Sequence, residues 1–283
     1  MEEQRRANAS DLPALEAIWL SSFPEDSPAD IAFFWESGFS PEQAVVHTVA
    51  GRPVSMLFLL PAALSLPGHP YTLPVGYVYA AATLPEFRGR GIFSSLLEAA
   101  HNTARLSGMR ATFLRPAQPS LETFYARLGY RPAFRADIRT MTRRDIEKQA
   151  AETASRVRRL SLPTSLRREW LGERHIPSIE WDRAVWRFAI QAVRGAYWEG
   201  PGWSALCAPD AEHILVRELL CGQELLPLFY RHLCDRYQFD TCTIRAPSCD
   251  GDGTAFGMIH YLDAQAEALS HSQSSLYMGL ALD

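Results

Sequence analysis

The stretch PEFRGRGIFSSLL, residues 85–97, joins two different patterns. Before it, TLPVGYVYAAATL has the composition of a strand, and after it Ile92, Leu96, Leu97, Ala100 and Ala104 recur at helical spacing until Gly108. That periodicity predicts a helix from about Gly91 to Leu106, stopped by the glycine. Arg88, Gly89, Arg90 and Gly91 therefore stand between a strand and a helix. The first amides of a helix have no partner within it, and the helix dipole adds partial positive charge there, so main chain alone can hold an anion such as a pyrophosphate. Glycines let the backbone approach closely, and the arginines add charge-assisted donors suited to phosphate oxygens. A Gly-rich turn alone is often only a tight connection. Two interleaved arginines favour an anion site.

Working outward toward the N-terminus, LPALEAIWLSSF places Leu12, Leu15, Ile18 and Trp19 on one helical face, with Asp11 as the expected cap, and PADIAFFWESGF predicts a second helix. AVVHTVAG and PVSMLFLLPAAL then read as strands neighbouring TLPVGYVYAAATL, punctuated by Gly51, Pro53, Gly68 and Pro70. Beyond the long helix, RATFLRPA reads as a strand, LETFYARLG as a short helix stopped by Gly129, and YRPAF as an extended segment. Residues 141–175 are rich in charge, among them Arg143, Arg144, Asp145, Arg156, Arg158, Arg159, Arg167 and Arg168, and are expected to be a solvated helical connector. From 176 onward an amphipathic helix, WDRAVWRFAIQAVR, precedes strands GWSALCA and HILVRELL, a helix ELLPLFYRHLCDRY, a strand TCTIRAP and a closing strand LYMGLAL. This order repeats the first half in shortened form, without a repeat at the level of residues.

At 283 residues, two domains are expected, and 47% hydrophobic with 21% charged residues is the composition of a globular chain. A net charge of −4 gives no overall field for nucleic acid or anionic membrane, so nucleic acid is not expected as a partner. The five cysteines, Cys207, Cys221, Cys234, Cys242 and Cys249, include no C-x-x-C pair and predict neither disulfides nor a metal site. They are read as buried thiols of a reducing compartment, and Cys207 and Cys221 are given no nucleophilic role because no basic partner adjoins them. The start MEEQRRANAS lacks an apolar export segment, and SMLFLLPAAL is too short to span a membrane, so a cytoplasmic location is expected.

Arg88-Gly-Arg-Gly-Ile-Phe resembles the coenzyme-A signature R/Q-x-x-G-x-G/A of the GNAT N-acyltransferases, with Phe93 in place of the usual terminal Gly or Ala. SLETFYARLGYR resembles the segment of that family in which a helix carries Tyr and ends in Gly-Phe/Tyr. Phe124, Tyr125, Gly129 and Tyr130 match it, and Gln118 stands where many members have Asn. The two motifs cover residues 76–134. The resemblance implies an α/β (α+β) fold with a mixed, mostly antiparallel sheet flanked by helices. It implies an N-terminal GNAT domain at 1–140, the connector at 141–175 and a smaller, degenerate GNAT-like domain at 176–283. It further implies acetyl-coenzyme A as co-substrate, held by backbone amides of Arg88, Gly89, Arg90, Gly91, Ile92, Phe93 and Ser94, with the pantetheine arm along Ala81, Ala82 and Thr83. Tyr125 would protonate the departing thiolate, since a phenol can donate to sulfur as charge develops there.

The acceptor is then a small-molecule or peptide amine, with self-association left open. Tyr77 and Tyr79 share a face of the central strand by alternation and either line the acceptor pocket or pack. Glu25, Asp26 and Asp30 lie where acceptor pockets sit in related enzymes, but read first as surface charge, and His47 reads as a strand residue. Alternatives from other classes are a non-catalytic acyl-coenzyme A sensor and an aminoacyl-tRNA-dependent transferase. No pyrophosphate site is expected in the second half, where Glu224 opens the corresponding helix.

Overall fold

A computed structural model describes residues 2–248, 252–271 and 275–282. The elements in chain order are β1 (Glu2–Arg6), α1 (Leu12–Ser22), α2 (Pro28–Glu36), β2 (Ala44–Val49), β3 (Arg52–Ser65), β4 (Leu73–Thr83), α3 (Ile92–Leu106), β5 (Ala111–Leu114), α4 (Glu122–Arg127), β6 (Arg131–Thr142) and α5 (Arg143–Gln149). They continue with β7 (Arg158–Leu160), α6 (Ser165–Glu173), β8 (Ser178–Trp181), α7 (Arg183–Ala192), β9 (Ala196–Gly200), β10 (Trp203–Asp210), β11 (His213–Cys221), α8 (Leu226–Arg236), β12 (Thr241–Pro247), β13 (Thr254–Tyr261) and α9 (Ala264–His271). The fold is the mixed, mostly antiparallel sheet flanked by helices that the sequence implies.

Alternation along β2 and β3 decides which helix covers which face. Val46, Met56, Phe58 and Leu60 point into a core shared with Leu15, Ile18 and Trp19 of α1 and Phe34 of α2. Val45, Leu57 and Leu59 point the other way, toward Leu96, Leu97, Ala100 and Ala104 of α3. The first core also takes in Trp181, Phe188, Tyr197 and Leu206, so it runs into the second half of the chain.

One sheet runs in the order β1-β2-β3-β4-β5-β13-β6-β12-β11-β10-β9-β7, with β8 pairing β3 from Ala62↔Trp181 to Ser65↔Ser178. Each half contributes an antiparallel meander, a helix and a parallel return strand: β2-β3-β4-α3-β5 and β9-β10-β11-α8-β12. The strand that follows in each half has changed places. β6 pairs β12, β13 pairs β5, and β6 and β13 pair each other at the centre. The sheet therefore passes without a break through the expected segments 1–140, 141–175 and 176–283.

Four local expectations need correction. The polar N-terminus forms β1, an edge strand whose pattern Glu-Glu-Gln-Arg-Arg is mostly exposed and so carries no apolar alternation. Asp11 is no side-chain cap for α1. Instead Asn8 caps a short 3-10 turn, and the Asp11 carboxylate accepts from the Asn8 amide and the Arg5 guanidinium. The connector contains β7, and its Arg167 is buried against Glu218 at 2.9 Å rather than solvated. LYMGLAL forms single bridges at Leu276 and Tyr277 instead of a strand, because those backbones meet Phe134 and Ser178 one residue at a time.

Candidate active site

β4 and β5 pair in parallel over three residues only, from Val75↔Ala111 to Tyr77↔Phe113. β5 ends at Leu114 while β4 continues to Thr83, so beyond Tyr77 one edge of β4 has no strand beside it among the described residues. Within that free stretch the β3 register shifts, with Phe58 opposite Tyr79 and Met56 opposite Ala82, leaving Ala80 and Ala81 against Leu57. Ala80 sits at φ +45°, a conformation that costs a non-glycine residue about 1–3 kcal/mol. The bulge falls within this unpaired stretch, the wedge left where β5 ends and β4 runs on.

Ala81, Ala82 and Thr83 line the end of this edge. The Ser55 hydroxyl donates to the Ala82 carbonyl at 2.8 Å, so the Thr83 hydroxyl, 2.7 Å from the same oxygen, is the donor to Ser55. The Arg88 Nε donates to the Thr83 carbonyl at 2.9 Å, which pins the turn to the strand end. The Ala82 and Thr83 carbonyls thus each accept from a side chain, and the side chains of 81–83 are small.

The turn itself needs its glycines. Gly89 and Gly91 sit at φ +74° and +75°, and among the described residues no atom beyond the adjoining residues lies within 4 Å of where a Cβ would stand on either. The conformation, not crowding, demands glycine, and the space on that side is open. The first bond inside α3 runs from the Ser95 amide to the Gly91 carbonyl at 3.1 Å, leaving the amides of Ile92, Phe93 and Ser94 without helical partners. Arg90 is exposed and lies over the Phe87 ring at 5.4 Å.

The corresponding turn of the second half differs at each point. Gly222 has φ −68°, and the Glu224 carboxylate folds back over it, where a Cβ would collide with the oxygen. Pro227 stands in the first turn of α8 and has no amide to offer. The residues at 88–94 fit a pyrophosphate, and those at 222–227 do not.

Tyr125 is carried on α4, half-buried against Phe93, Phe124 and Tyr130, with ring centroids at 6.4, 5.4 and 5.7 Å. Its hydroxyl makes no hydrogen bond among the described residues, and burial pushes the phenol up to about 12. It also lies within electrostatic reach of Tyr77, whose phenol burial likewise raises to about 12. Tyr125 packs against the core that Val78 of β4 shares with Leu96 and Leu97 of α3.

On the other face of β4, Tyr77 and Tyr79 stack at 6.3 Å, and the second half closes over them through Trp181 and Phe188. Sequence reasoning missed these two, because only the β8–β3 pairing brings them there. Of the acids weighed, Asp30 caps α2 by accepting from the Ser27 amide, and Glu25 is exposed. Asp26 turns inward to accept from the Trp19 indole at 2.7 Å and, after burial, is the next cause of the raised Tyr79 phenol. His47 is buried between Gln4 at 2.9 Å and Glu2. Burial raises the Cys207 thiol and pushes Cys221 to about 12, so neither is a thiolate. Cys249 lies outside the described residues. No group of three His, Cys, Asp or Glu side chains suited to a metal occurs among the described residues. No helix among them is long and apolar enough to cross a membrane.

Residues 3–133 match the family model described as the acetyltransferase (GNAT) domain. No curated protein matches the sequence. Among solved structures, the chain is similar to a GCN5-related N-acetyltransferase from Kribbella flavida, at TM-score 0.73 and 16% identity over 94% of this chain and 73% of that one. A GCN5-related N-acetyltransferase from Anabaena variabilis gives 0.71 and 14% over 93% and 73%. A tandem GNAT protein from the clavulanic acid biosynthesis pathway gives 0.52 and 14% over 93% and 99%. At these identities the likeness is one of fold.

Proposed function

We propose, from the match of residues 3–133 to the acetyltransferase (GNAT) domain, that the chain moves the acetyl group of acetyl-coenzyme A to an amine by direct attack. The observation that carries this reading is the convergence of a free β4 edge, an open two-glycine turn and a half-buried phenol around one wedge. The amides of Ile92, Phe93 and Ser94, with Arg88 and Arg90, hold the pyrophosphate. The β4 edge from Val78 to Thr83 offers main-chain partners to the pantetheine arm, as a sheet edge does to an added strand. The second half, with Glu224 over its turn, holds no coenzyme and instead walls the acceptor side with Trp181 and Phe188.

The attacking amine must be neutral, so its proton passes to a base or to water before or during attack. A C–N bond then forms at the thioester carbonyl and the C–S bond breaks. Tyr125 gives its phenolic proton to the departing sulfur and regains one from solvent. A phenol held near 12 stays protonated at neutral pH and is available as the acid. Asp26, beside Trp19 and Tyr79, is placed to hold a cationic acceptor.

The test is thiol release from acetyl-coenzyme A by the purified chain across a panel of amines, with calorimetry alongside. One coenzyme bound per chain with turnover on an amine supports the reading. One coenzyme bound with no turnover on any amine would make the protein a sensor, and salt-sensitive tRNA binding without coenzyme binding would make it an aminoacyl transferase.

A further inference from the structure

Position 93 is where the sequence departs from the signature it resembles, and the structure shows where the added ring goes. Phe93 stands in the first turn of α3, half-buried, with its amide among those left without a helical partner. Its side chain turns toward α4. The ring centroid is 5.9 Å from Phe124 at an interplanar angle of 37°, and 6.4 Å from Tyr125 at 78°, an edge-to-face approach.

α4 needs such a support. It has six residues, none of them buried, so little of its own packing fixes the rotamer of the tyrosine it carries. Tyr125 also meets Tyr130 at 5.7 Å and 68°, again edge-to-face. Tyr130 is itself immobilised: its hydroxyl lies 2.7 Å from Thr112 of β5 and 3.1 Å from the His101 ring of α3. The Tyr125 ring thus packs on one aromatic from the helix that follows the two-glycine turn and on one bolted to β5. Aromatic pairs in this geometry contribute beyond simple burial and fix ring orientation.

We propose that Phe93 is a positioning residue for the reaction, one jaw of an aromatic clamp that aims the Tyr125 hydroxyl at the thioester sulfur. The inference rests on reading Tyr125 as the general acid. It assigns Phe93 a role that a glycine or alanine at this position could not play, and it places the determinant of acid geometry on the same turn that holds the coenzyme.

A double-mutant cycle of Phe93→Ala and Tyr125→Phe tests it, read as turnover of acetyl-coenzyme A with the amine found in the screen, or with water as acceptor. Loosening the phenol should lower kcat roughly ten- to a hundredfold, the scale of a small misplacement of a reacting group. Affinity for acetyl-coenzyme A by calorimetry should change by less than about threefold, since main-chain amides rather than the ring hold the pyrophosphate. In the Tyr125→Phe background the Phe93→Ala change should cost almost nothing further, because there is no hydroxyl left to aim. Phe93→Leu, which keeps bulk and supports α4, should recover most of the rate, and Phe93→Val, which stays apolar but is too short to reach Tyr125, carries the same cycle if the alanine variant does not fold. An equal multiplicative loss in both backgrounds, or an unchanged kcat in the single variant, would overturn the clamp while leaving Tyr125 as the acid. If Tyr125→Phe alone leaves kcat unchanged, the acid assignment falls, and the clamp with it.

Discussion

Replacing Gly91 with valine tests the coenzyme site most directly, because the structure separates strain from crowding there. With φ at +75° and, among the described residues, no atom beyond the adjoining residues within 4 Å of a Cβ position, a side chain meets no obstacle, and the whole penalty comes from the backbone. Left-handed backbone costs an ordinary L-residue about 1–2 kcal/mol and a β-branched one more, so the turn should relax toward negative φ rather than bear the strain. Relaxation redirects the amides that follow. Charge-assisted hydrogen bonds contribute roughly 1.5–3 kcal/mol each, so losing two should weaken binding by about 3–6 kcal/mol, or on the order of a hundred- to ten-thousandfold. Calorimetry with acetyl-coenzyme A reads the affinity, and circular dichroism checks that the variant is folded. Gly91→Ala should lose less, keeping the order glycine, alanine, valine. Gly222→Ala, at φ −68° in the other half, should leave affinity unchanged. A folded Gly91→Val protein with wild-type affinity would refute the placement of the pyrophosphate.

Tyr125→Phe should keep coenzyme affinity while lowering turnover by about 10²–10⁴-fold, and steady-state kinetics would return the tyrosine to packing if kcat is unmoved. Arg167→Met leaves Glu218 buried and alone, so thermal or denaturant unfolding should show a loss of about 3–5 kcal/mol, and a loss under 1 would contradict the buried pair. His101 is held down to about 3, chiefly by burial and then by His260, below its ordinary value of 6.5, so the unfolded chain binds the extra proton. Its contribution is complete above pH 6.5 and is lost as pH falls toward 3; the acid limb of a Tm-against-pH curve should flatten in His101→Gln and would argue against this if it kept its slope. Deleting residues 176–283 removes β13 from beside β5 and β8 from beside β3, so the remainder should aggregate, and a soluble fragment with wild-type turnover would show that the second half is dispensable.

What the sequence made legible was local. Ile92 through Ala104 carry their own helical period, and Gly89 and Gly91 announce a turn that only glycine adopts easily, so the strand, turn and helix of the proposed coenzyme site are legible in residues 76–106 alone. Tyr125 was legible through its short motif, though not its neighbours. The signals that failed were those set by partners distant in sequence. β1 has no apolar alternation because it is an edge, and Arg167 looks like any surface arginine until Glu218 is brought beside it from 51 residues away.

The exchange of β6 and β13 is the clearest case, and it bears on the site. The strand Thr254–Tyr261 is buried on both faces over residues 256–259, so it carries no alternation that says which strand it will join. In the structure it joins β5, and its His260 then stacks on His101 at 4.2 Å and donates from Nδ1 to the Gly129 carbonyl at 2.9 Å. Gly129 sits at φ +86°, and a Cβ there would strike the His260 ring, so the glycine that ends the Tyr125 segment answers to a residue of the other half. The platform beneath the proposed acid is therefore shared: Thr112 and His101 from the first half fix Tyr130, and His260 from the second fixes the turn before it. If the second half binds no coenzyme, as proposed, it can still be required for turnover, because it supplies a strand through the middle of the sheet on which the proposed acid is mounted.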